Sequence, residues 1–294
     1  MRGGPSREYE VSLKTGSAVL EALDRERYEP RDIFISKGGE WHVHGVAMEP
    51  ERALKGIDVA FNAMHGDYGE DGQLQRTLDR LGVPYTGSSA FASSLSYNKH
   101  HAKDAVQKLG LKVPYSTVID LEPAQDQEIE ALAQKLFRSF PQPSVVKPAA
   151  GGSRMAMTVA QSYHGLERAL REAAAHSPKI LVEEYIPGQD ASVGVVENFR
   201  GEEVYALVPT QGAFSHEEKG RLAELARAAH QGLGLAHYSD SDFIVSKRGI
   251  YYLETNALPK LHKESKLAGA LSYVGASLSH FIDHIISLAS NKRR

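Results

Sequence analysis

Apolar runs of strand length alternate with helical patterns along the first part of the chain. The predicted strands are residues 32–36, 43–46 and 57–64, and the predicted helices are residues 7–25 and 73–81. Ser6 is the expected N-cap of the first helix, because a serine hydroxyl accepts a hydrogen bond from a free N–H group of the first turn. Strands and helices that alternate in this order predict a parallel α/β layer, with active loops at the carboxyl ends of its strands.

The chain opens on a glycine turn, Gly3-Gly4-Pro5, and a turn of this kind normally follows a strand. Only Met1 and Arg2 precede it. We therefore expect the first strand of the layer to be missing.

The pattern of the remaining chain predicts antiparallel strands and further helices. The predicted helices are residues 98–109, 165–175, 219–233 and 278–288, and the predicted strands are residues 145–148, 156–160, 180–185, 191–196 and 203–208. A loop of small residues, 149–153, separates the first two of these strands. The fold class that we predict is α/β (α+β), with a parallel α/β domain followed by a part that is built from antiparallel sheets.

Residues 242–256, DFIVSKRGIYYLETN, predict a β-hairpin with its turn near Arg248. Asp242 lies six residues before Arg248 and Glu254 lies six residues after it, so the two should face each other across antiparallel strands. Asn256 follows Glu254 by two residues, which puts it on the same face. Mg²⁺ takes such oxygen ligands when it also holds phosphates, although ordinary polar residues at strand ends give the same pattern.

Composition narrows the class of protein. The chain has 294 residues, of which 41% are hydrophobic and 24% charged, as in an ordinary globular protein long enough for two domains. A net charge of −3 provides no basic surface, so we expect no nucleic-acid partner. The lack of cysteine excludes disulfides, zinc–thiolate sites and a cysteine nucleophile. No apolar run has the length of a membrane span, and we expect a cytoplasmic protein without a membrane partner.

Five segments of the chain resemble the motifs of a known family and follow one another in the same order. They are residues 65–75 (HGDYGEDGQLQ), 83–99 (VPYTGSSAFASSLSYNK), 145–153 (VVKPAAGGS), 181–188 (LVEEYIPG) and 242–259 (DFIV to YYLETNALP). Together with residues 6–13 (SREYEVSL), they resemble the D-alanine–D-alanine ligase family of the ATP-grasp superfamily. Each motif alone is weak, whereas the full series in order is specific.

The resemblance implies a domain organisation and a reaction. Residues 1–97 would form an N-terminal α/β substrate domain, residues 98–178 the small ATP-grasp subdomain and residues 179–294 the large subdomain with the metal site. ATP, with Mg²⁺ (or Mn²⁺), would phosphorylate the carboxylate of one D-alanine, and the amine of a second D-alanine would attack the acyl phosphate. The dipeptide would serve peptidoglycan synthesis. Members of the family are commonly dimers, so a homodimer is a further expectation.

The resemblance also implies which residues bind the nucleotide and the metal. They are Lys99, Lys147, Gly151, Gly152, Glu183, Glu184, Ile186, Asp190, Asp242, Glu254 and Asn256. Lys99 and Lys147 match lysines that contact phosphates, although most lysines are simply solvated on a surface. The two glycines would let backbone N–H groups approach phosphates. Residues 183–186 match the segment that reads adenine, and Asp190 stands where the family has a ribose-binding glutamate.

A second group of residues matches the amino-acid side of the site. Glu8 would hold the ammonium of the first D-alanine, although an acid in a first helical turn is also favoured by the helix dipole. His65 and Glu70 would line the pocket of that substrate. Ser153 would link Glu8 to a lid, and Ser265 would receive the carboxylate of the second D-alanine.

Departures from the family cluster at the reacting centre. Asp240 stands where the family has an arginine that stabilises the oxyanion, and negative charge there opposes the reaction. Pro259 is followed by Lys260 instead of glycine, so the Lys260 ammonium is a candidate catalytic replacement for that arginine. Residues 208–218 run almost straight into a helix, which leaves little of the family's lid loop.

Three interpretations remain open from the sequence. The first is a D-alanine–D-alanine ligase, and the second is a nucleotide- or amino-acid-binding protein that keeps the fold and has lost or altered its ligase activity. The third is a carboxylate–amine ligase with another acceptor. The matches at Glu8, His65, Glu70, Ser153 and Ser265 favour the first interpretation, whereas Asp240, Lys260 and the short lid favour the others.

Overall fold

The computed structural model describes residues 1–121, 126–151 and 157–291. Within these ranges the strands form three four-stranded sheets. The strands are β1 (Arg2–Gly3), β2 (Ile33–Ile35), β3 (Trp41–Val43), β4 (Val46–Met48), β5 (Ser116–Asp120), β6 (Ser144–Pro148), β7 (Thr158–Ala160), β8 (Lys179–Glu184), β9 (Gln189–Phe199), β10 (Glu202–Ala206), β11 (Tyr238–Ser246) and β12 (Gly249–Asn256). The helices are α1 (Tyr9–Ala22), α2 (Pro50–Ala53), α3 (Gln73–Arg80), α4 (Ala90–Tyr97), α5 (Lys99–Lys108), α6 (Asp126–Ser139), α7 (Tyr163–Ala174), α8 (His216–Gly232), α9 (Lys266–Tyr273) and α10 (Leu278–Asn291).

The N-terminal sheet has the order β1-β2-β3-β4 and mixed pairing. β1 is parallel to β2, whereas β2, β3 and β4 form an antiparallel meander. The expectation that no strand precedes the glycine turn is wrong, because Arg2 and Gly3 pair with Phe34 and Ile35. Gly3 has φ +93°, and a Cβ at this position would collide with the Ile35 carbonyl oxygen, so only glycine allows this approach.

Two strand predictions in this region are wrong in detail. Residues 43–46 contain a turn, since His44 and Gly45 both have positive φ and separate β3 from β4. Residues 57–64 are not a continuous strand, and only Ala60 forms a bridge there, with Tyr85. The Asn62 N–H donates to the Thr86 hydroxyl at 3.1 Å, so a side chain takes the place of a ladder partner.

The first helix begins later than expected. Its N-cap is Glu8 rather than Ser6, and no side chain caps it. Ser6 Oγ accepts a hydrogen bond from the Glu8 N–H at 2.9 Å, which closes a local turn before the helix. The Ser6 turn therefore fixes Glu8 at the very start of α1.

The other two sheets are antiparallel throughout, as the sequence predicted for this part of the chain. The middle sheet has the order β5-β8-β6-β7, and the C-terminal sheet has the order β10-β9-β11-β12. The predicted pairing of residues 191–196 with 203–208 is confirmed by β9 and β10. Helix α5 has Asn98 as its N-cap, and the sequence pattern missed β5 and the helices α2, α4, α6 and α9.

The two central strands of the C-terminal sheet, β9 and β11, are buried on both faces. Ala191, Val193 and Val195 of β9 point into a core that α5 and α8 share. The alternate residues point to the other face, where Leu267 of α9 and Phe281 of α10 form a second core. The connection between β10 and α8 spans only residues 207–215, which agrees with the expected loss of most of a lid loop.

The predicted hairpin is confirmed, and it contains a bulge. Ser246 pairs with Gly249 around the two-residue turn, and Asp242 pairs with Glu254. Counted from this turn, a regular ladder would place Leu253 opposite Asp242, but the register shifts between Asp242 and Phe243. The shift brings Glu254 opposite Asp242, and Asn256 pairs with Asp240.

Candidate active site

A cavity of about 780 Å³ lies where the middle sheet, the C-terminal sheet and the segment before α1 meet. Part of its wall is apolar and comes from both sheets, through Val145, Ile244 and Leu253. The remainder is rich in charged side chains. The predicted site residues that line it are Glu8, Lys99, Lys147, Gly151, Glu183, Glu184, Ile186, Asp190, Asp242 and Glu254.

The other predicted residues lie around this cavity or outside the described ranges. Glu70 and Asn256 line a smaller pocket that shares Lys99 and Glu254 with the cavity. Ser265 is the buried N-cap of α9, where its hydroxyl accepts a hydrogen bond from the Ala268 N–H at 3.3 Å. Gly152 and Ser153, predicted to approach phosphate and to link Glu8 to a lid, fall outside the described residues.

Each hairpin carboxylate has an ammonium partner. Lys99 Nζ lies 3.1 Å from Glu254 Oε2, and Lys266 Nζ lies 2.8 Å from Asp242 Oδ1. Burial raises the pKa of Glu254, but the Lys99 and Lys147 ammonium groups together outweigh burial and lower it to about 2. Glu254 is therefore an anion at any physiological pH.

Asp240 adds a third carboxyl group beside Asp242. Burial, and then the neighbouring Asp242 charge, raise the pKa of Asp240 to about 7. Ser192 Oγ lies 2.7 Å from both Asp240 Oδ1 and Asp242 Oδ1, yet a hydroxyl has one proton to donate. The Ser192 hydroxyl therefore donates to one of these two carboxyl groups at a time, and the two groups share it as a neighbour.

Two lysines converge on one buried glutamate. Lys147 Nζ lies 2.7 Å from Glu183 Oε2, and Lys103 forms an ion pair with the other carboxylate oxygen. Burial lowers the pKa of Lys147 to about 8, and it also lowers the pKa of Lys103. Lys103 was missed at the sequence level, although it follows Lys99 by four residues on α5 and so shares its helix face.

Glu8 brings a further charge to the cavity wall, and Lys260 pairs with it from outside that wall. Lys260 Nζ lies 3.1 Å from Glu8 Oε2, so the predicted replacement for the missing arginine touches the predicted ammonium binder. His65 contacts the Glu70 carboxylate through Nδ1 at 3.3 Å and Thr15 Oγ1 through Nε2 at 2.8 Å. His65, Glu70 and Glu8 are all buried, which agrees with a shielded pocket at this end.

A bound metal ion would need ligands beyond the protein's own carboxylates. The described ranges contain no cluster of three or more histidine and acidic side chains arranged for a metal. Two facing carboxylates and one amide suit Mg²⁺, which usually keeps waters and substrate phosphate oxygens in its octahedral shell. The facing carboxylates of Asp242 and Glu254 therefore fit a magnesium ion that also binds phosphate oxygens, and Asn256 offers an amide from the adjoining pocket.

None of the helices in residues 1–121, 126–151 and 157–291 is both long enough and apolar enough to cross a bilayer.

Sequence models of one family match most of the chain. The model described as D-ala D-ala ligase N-terminus matches residues 1–53 and 44–88, and the model described as D-ala D-ala ligase C-terminus matches residues 105–220. A D-alanine–D-alanine ligase from Syntrophotalea carbinolica is 31% identical and aligns with 100% of this chain and 96% of its own. A D-alanine–D-alanine ligase from Geotalea uraniireducens is 34% identical, with 99% of this chain and 95% of its own aligned.

Solved structures show the same fold. The D-alanine–D-alanine ligase from Bacillus anthracis complexed with ATP superposes with a TM-score of 0.76 at 25% identity, over 99% of this chain and 96% of that one. The VanG D-Ala:D-Ser ligase from Enterococcus faecalis superposes with a TM-score of 0.83 at 24% identity, over 98% of this chain and 97% of that one.

Proposed function

This chain belongs to the D-alanine–D-alanine ligase family, and we propose that it uses ATP to join two D-alanines through an acyl phosphate. One observation carries the proposal. Two lysines of the kind that hold phosphates, Lys99 and Lys147, enter the same cavity as the facing carboxylates Asp242 and Glu254. A triphosphate and a magnesium ion together need this combination of charges, with a water-poor site around them.

The chemistry requires activation of a carboxylate before peptide-bond formation. A carboxylate oxygen of the first D-alanine attacks the γ-phosphorus of ATP, and ADP leaves. The amine of the second D-alanine then attacks the acyl carbon, and the C–O bond to phosphate breaks. Negative charge builds up in both steps, so ammonium groups placed beforehand around the triphosphate lower both barriers.

The nucleotide half of the cavity supports ATP as the phosphoryl donor. Val145, Ile244 and Leu253 offer apolar contact to a purine ring, and residues 183–186 run past them along the wall of the same cavity. Lys147 would contact the α- and β-phosphates, with Glu183 holding its ammonium in place. Asp190 would reach a ribose hydroxyl from the start of β9.

We propose that Mg²⁺, or Mn²⁺, is held by Asp242, Glu254 and Asn256. The ion would neutralise charge on the transferring phosphoryl group. The hairpin bulge matters here, because it brings the two carboxylates opposite each other. Glu254, with its low pKa, presents a charged oxygen at every working pH.

The amino-acid half supports a small zwitterionic substrate. Glu8 would bind the ammonium of the first D-alanine beside His65 and Glu70. Lys260 would contact the carboxylate of the same molecule, since its ammonium lies beside the Glu8 carboxylate. Ser265 would receive the carboxylate of the second D-alanine from the start of α9.

Loss or change of ligation is the second candidate function. A buried carboxyl group at Asp240, instead of a cation, opposes the growth of negative charge nearby. The Glu8–Lys260 ion pair must also open before Glu8 accepts a substrate ammonium. These two observations favour a binding protein that retains the fold, or a ligase with another acceptor.

We place the ligase in the cytoplasm, where ATP is available, and we propose that its dipeptide serves peptidoglycan synthesis and so cell-wall biogenesis and cell shape. A homodimer is part of the same proposal. The apolar residues Val19 and Leu23 of the first helical segment pack into the core with α10, so a dimer would use other residues.

The test is an assay of purified protein with ATP, Mg²⁺ and D-alanine, read by phosphate release and by mass spectrometry of the dipeptide. The ligase predicts one phosphate per dipeptide, dependent on D-alanine. Phosphate without dipeptide would indicate an open site that hydrolyses its acyl phosphate. No turnover with retained ATP binding would support the binding protein instead.

A further inference from the structure

Lys266 occupies an unusual position for a lysine at the start of a helix. It is the first residue of α9, and its side chain turns back from the helix towards β9 and β11. Its ammonium lies 2.8 Å from Asp242 Oδ1 and 3.3 Å from Ser192 Oγ. The contact therefore joins α9 to the carboxylate that we assign to the metal.

Three carboxyl groups crowd the end of the hairpin that faces α9 and α5. Asp240 and Asp242 follow each other on one face of β11, and Glu254 stands opposite Asp242. Like charges at this spacing repel strongly in a buried site unless cations lie between them. Lys99 forms an ion pair with Glu254, and Lys266 forms an ion pair with Asp242.

The two side chains of the Lys266–Asp242 pair differ in exposure and in how far they can move. The Asp242 side chain is 13% exposed and is held on a strand that is buried on both faces. The Lys266 side chain is 31% exposed, while its backbone is fixed by the Ser265 cap and by Leu267 in the core. Only the Lys266 ammonium can leave the pair and reach water without unfolding α9.

We propose that Lys266 is a tethered counterion of the metal site: its ammonium neutralises Asp242 until a divalent ion arrives, and the ion displaces it. The proposal rests on the metal site of the proposed function. A divalent ion and an ammonium compete for the same carboxylate oxygen, because both are attracted by the same charge. Lys266 thus stabilises the metal-free protein and weakens the binding of a free ion, so that metal enters best with the extra ligands of a nucleotide.

Mn²⁺ binding to metal-stripped, nucleotide-free protein tests the proposal. Lys266→Met removes the charge and keeps most of the side-chain volume, and Lys266→Arg keeps the charge. Lys263→Met is the matched control, because Lys263 is an exposed lysine on the same segment. Mn²⁺ affinity is measured by calorimetry and by the paramagnetic signal of the free ion. Thermal unfolding is followed in EDTA and again with Mn²⁺.

Lys266→Met should tighten Mn²⁺ binding by about tenfold, because one competing charge is gone, while Lys266→Arg and Lys263→Met bind as the unchanged protein does. Lys266→Met should also unfold at a lower temperature in EDTA, and Mn²⁺ should restore it. Equal Mn²⁺ affinities for the unchanged protein and Lys266→Met, or no binding by either, would overturn the proposal. The titration contains neither ATP nor D-alanine, so a protein that shows the tenfold change but forms no dipeptide would refute the ligase and leave this inference intact.

Discussion

The Lys260 ammonium lies 3.1 Å from the Glu8 carboxylate, and this ion pair joins the segment after β12 to the start of α1. The Glu8 side chain is only 8% exposed, whereas that of Lys260 is 43% exposed. An amino acid has its ammonium and its carboxylate at similar separation. A substrate amino acid at this place would exchange partners with both residues, and its carboxylate would then lie beside Lys260.

Replacement of Lys260 by alanine should lower kcat for dipeptide formation by about a hundredfold, because a cation beside the reacting carboxylate is lost. ATP affinity should not change, since Lys260 does not line the cavity. Steady-state kinetics and nucleotide titration check both parts. Lys263→Ala, at an exposed lysine nearby, is the control. An unchanged kcat in Lys260→Ala would remove Lys260 from the reaction.

Replacement of Glu254 by glutamine keeps the shape of the side chain and removes its charge. Phosphate release should fall by at least about a hundredfold, because the metal loses a charged ligand and Lys99 loses its partner. Glu203→Gln, at an exposed position of the same sheet, should keep full activity. Turnover that survives in Glu254→Gln would argue against the metal site at the hairpin.

ATP affinity should depend on pH through Lys147. Burial lowers the pKa of this lysine to about 8, so its ammonium is present below that pH and is lost as the pH rises through it. The dissociation constant of ATP should therefore rise above pH 8, by up to about tenfold for each pH unit. Adenosine has no phosphate, and its affinity should stay constant over the same range. Lys147→Met should bind ATP weakly with no rise near pH 8, and a rise of the same size there would assign the effect to another group.

Lys103 should stabilise the folded protein through its ion pair with Glu183. Lys103→Met leaves the buried Glu183 with Lys147 as its remaining ammonium partner, so it should lower the free energy of unfolding by about 1 to 3 kcal/mol. Lys108→Met on the exposed face of the same helix should change it by less than about 0.5 kcal/mol. Urea unfolding gives both values. A double variant, Lys103→Met with Glu183→Gln, should lose less than the sum of the two single changes, and strict additivity would contradict the pairing.

The hairpin was predictable because its signals are local. Apolar runs around Ser246 and Gly249 fix the turn, and the two arms follow from it. The predicted pairing of Asp242 with Glu254 is confirmed, but it depends on a β-bulge that the residue pattern does not predict. The error at residues 43–46 has another cause, because His44 and Gly45 stand between two valines and both take a positive φ, so that they form a turn.

Contacts between distant segments could not be predicted from the pattern. Ser265 was identified as a site residue, whereas Lys266 beside it was missed, since its contact with Asp242 depends on how α9 packs against β9. Likewise, the sequence suggested a cation at Lys260, but only the tertiary fold pairs it with Glu8.

The transfer of a carboxylate oxygen from D-alanine to the released phosphate is the sharpest test for an acyl phosphate intermediate. D-Alanine with both carboxylate oxygens labelled as ¹⁸O is supplied with unlabelled ATP and Mg²⁺, and the released phosphate is analysed by mass spectrometry. An acyl phosphate intermediate requires one ¹⁸O atom in each released phosphate, because the carboxylate oxygen that attacks the γ-phosphorus leaves with it. Unlabelled phosphate released together with the dipeptide would contradict it.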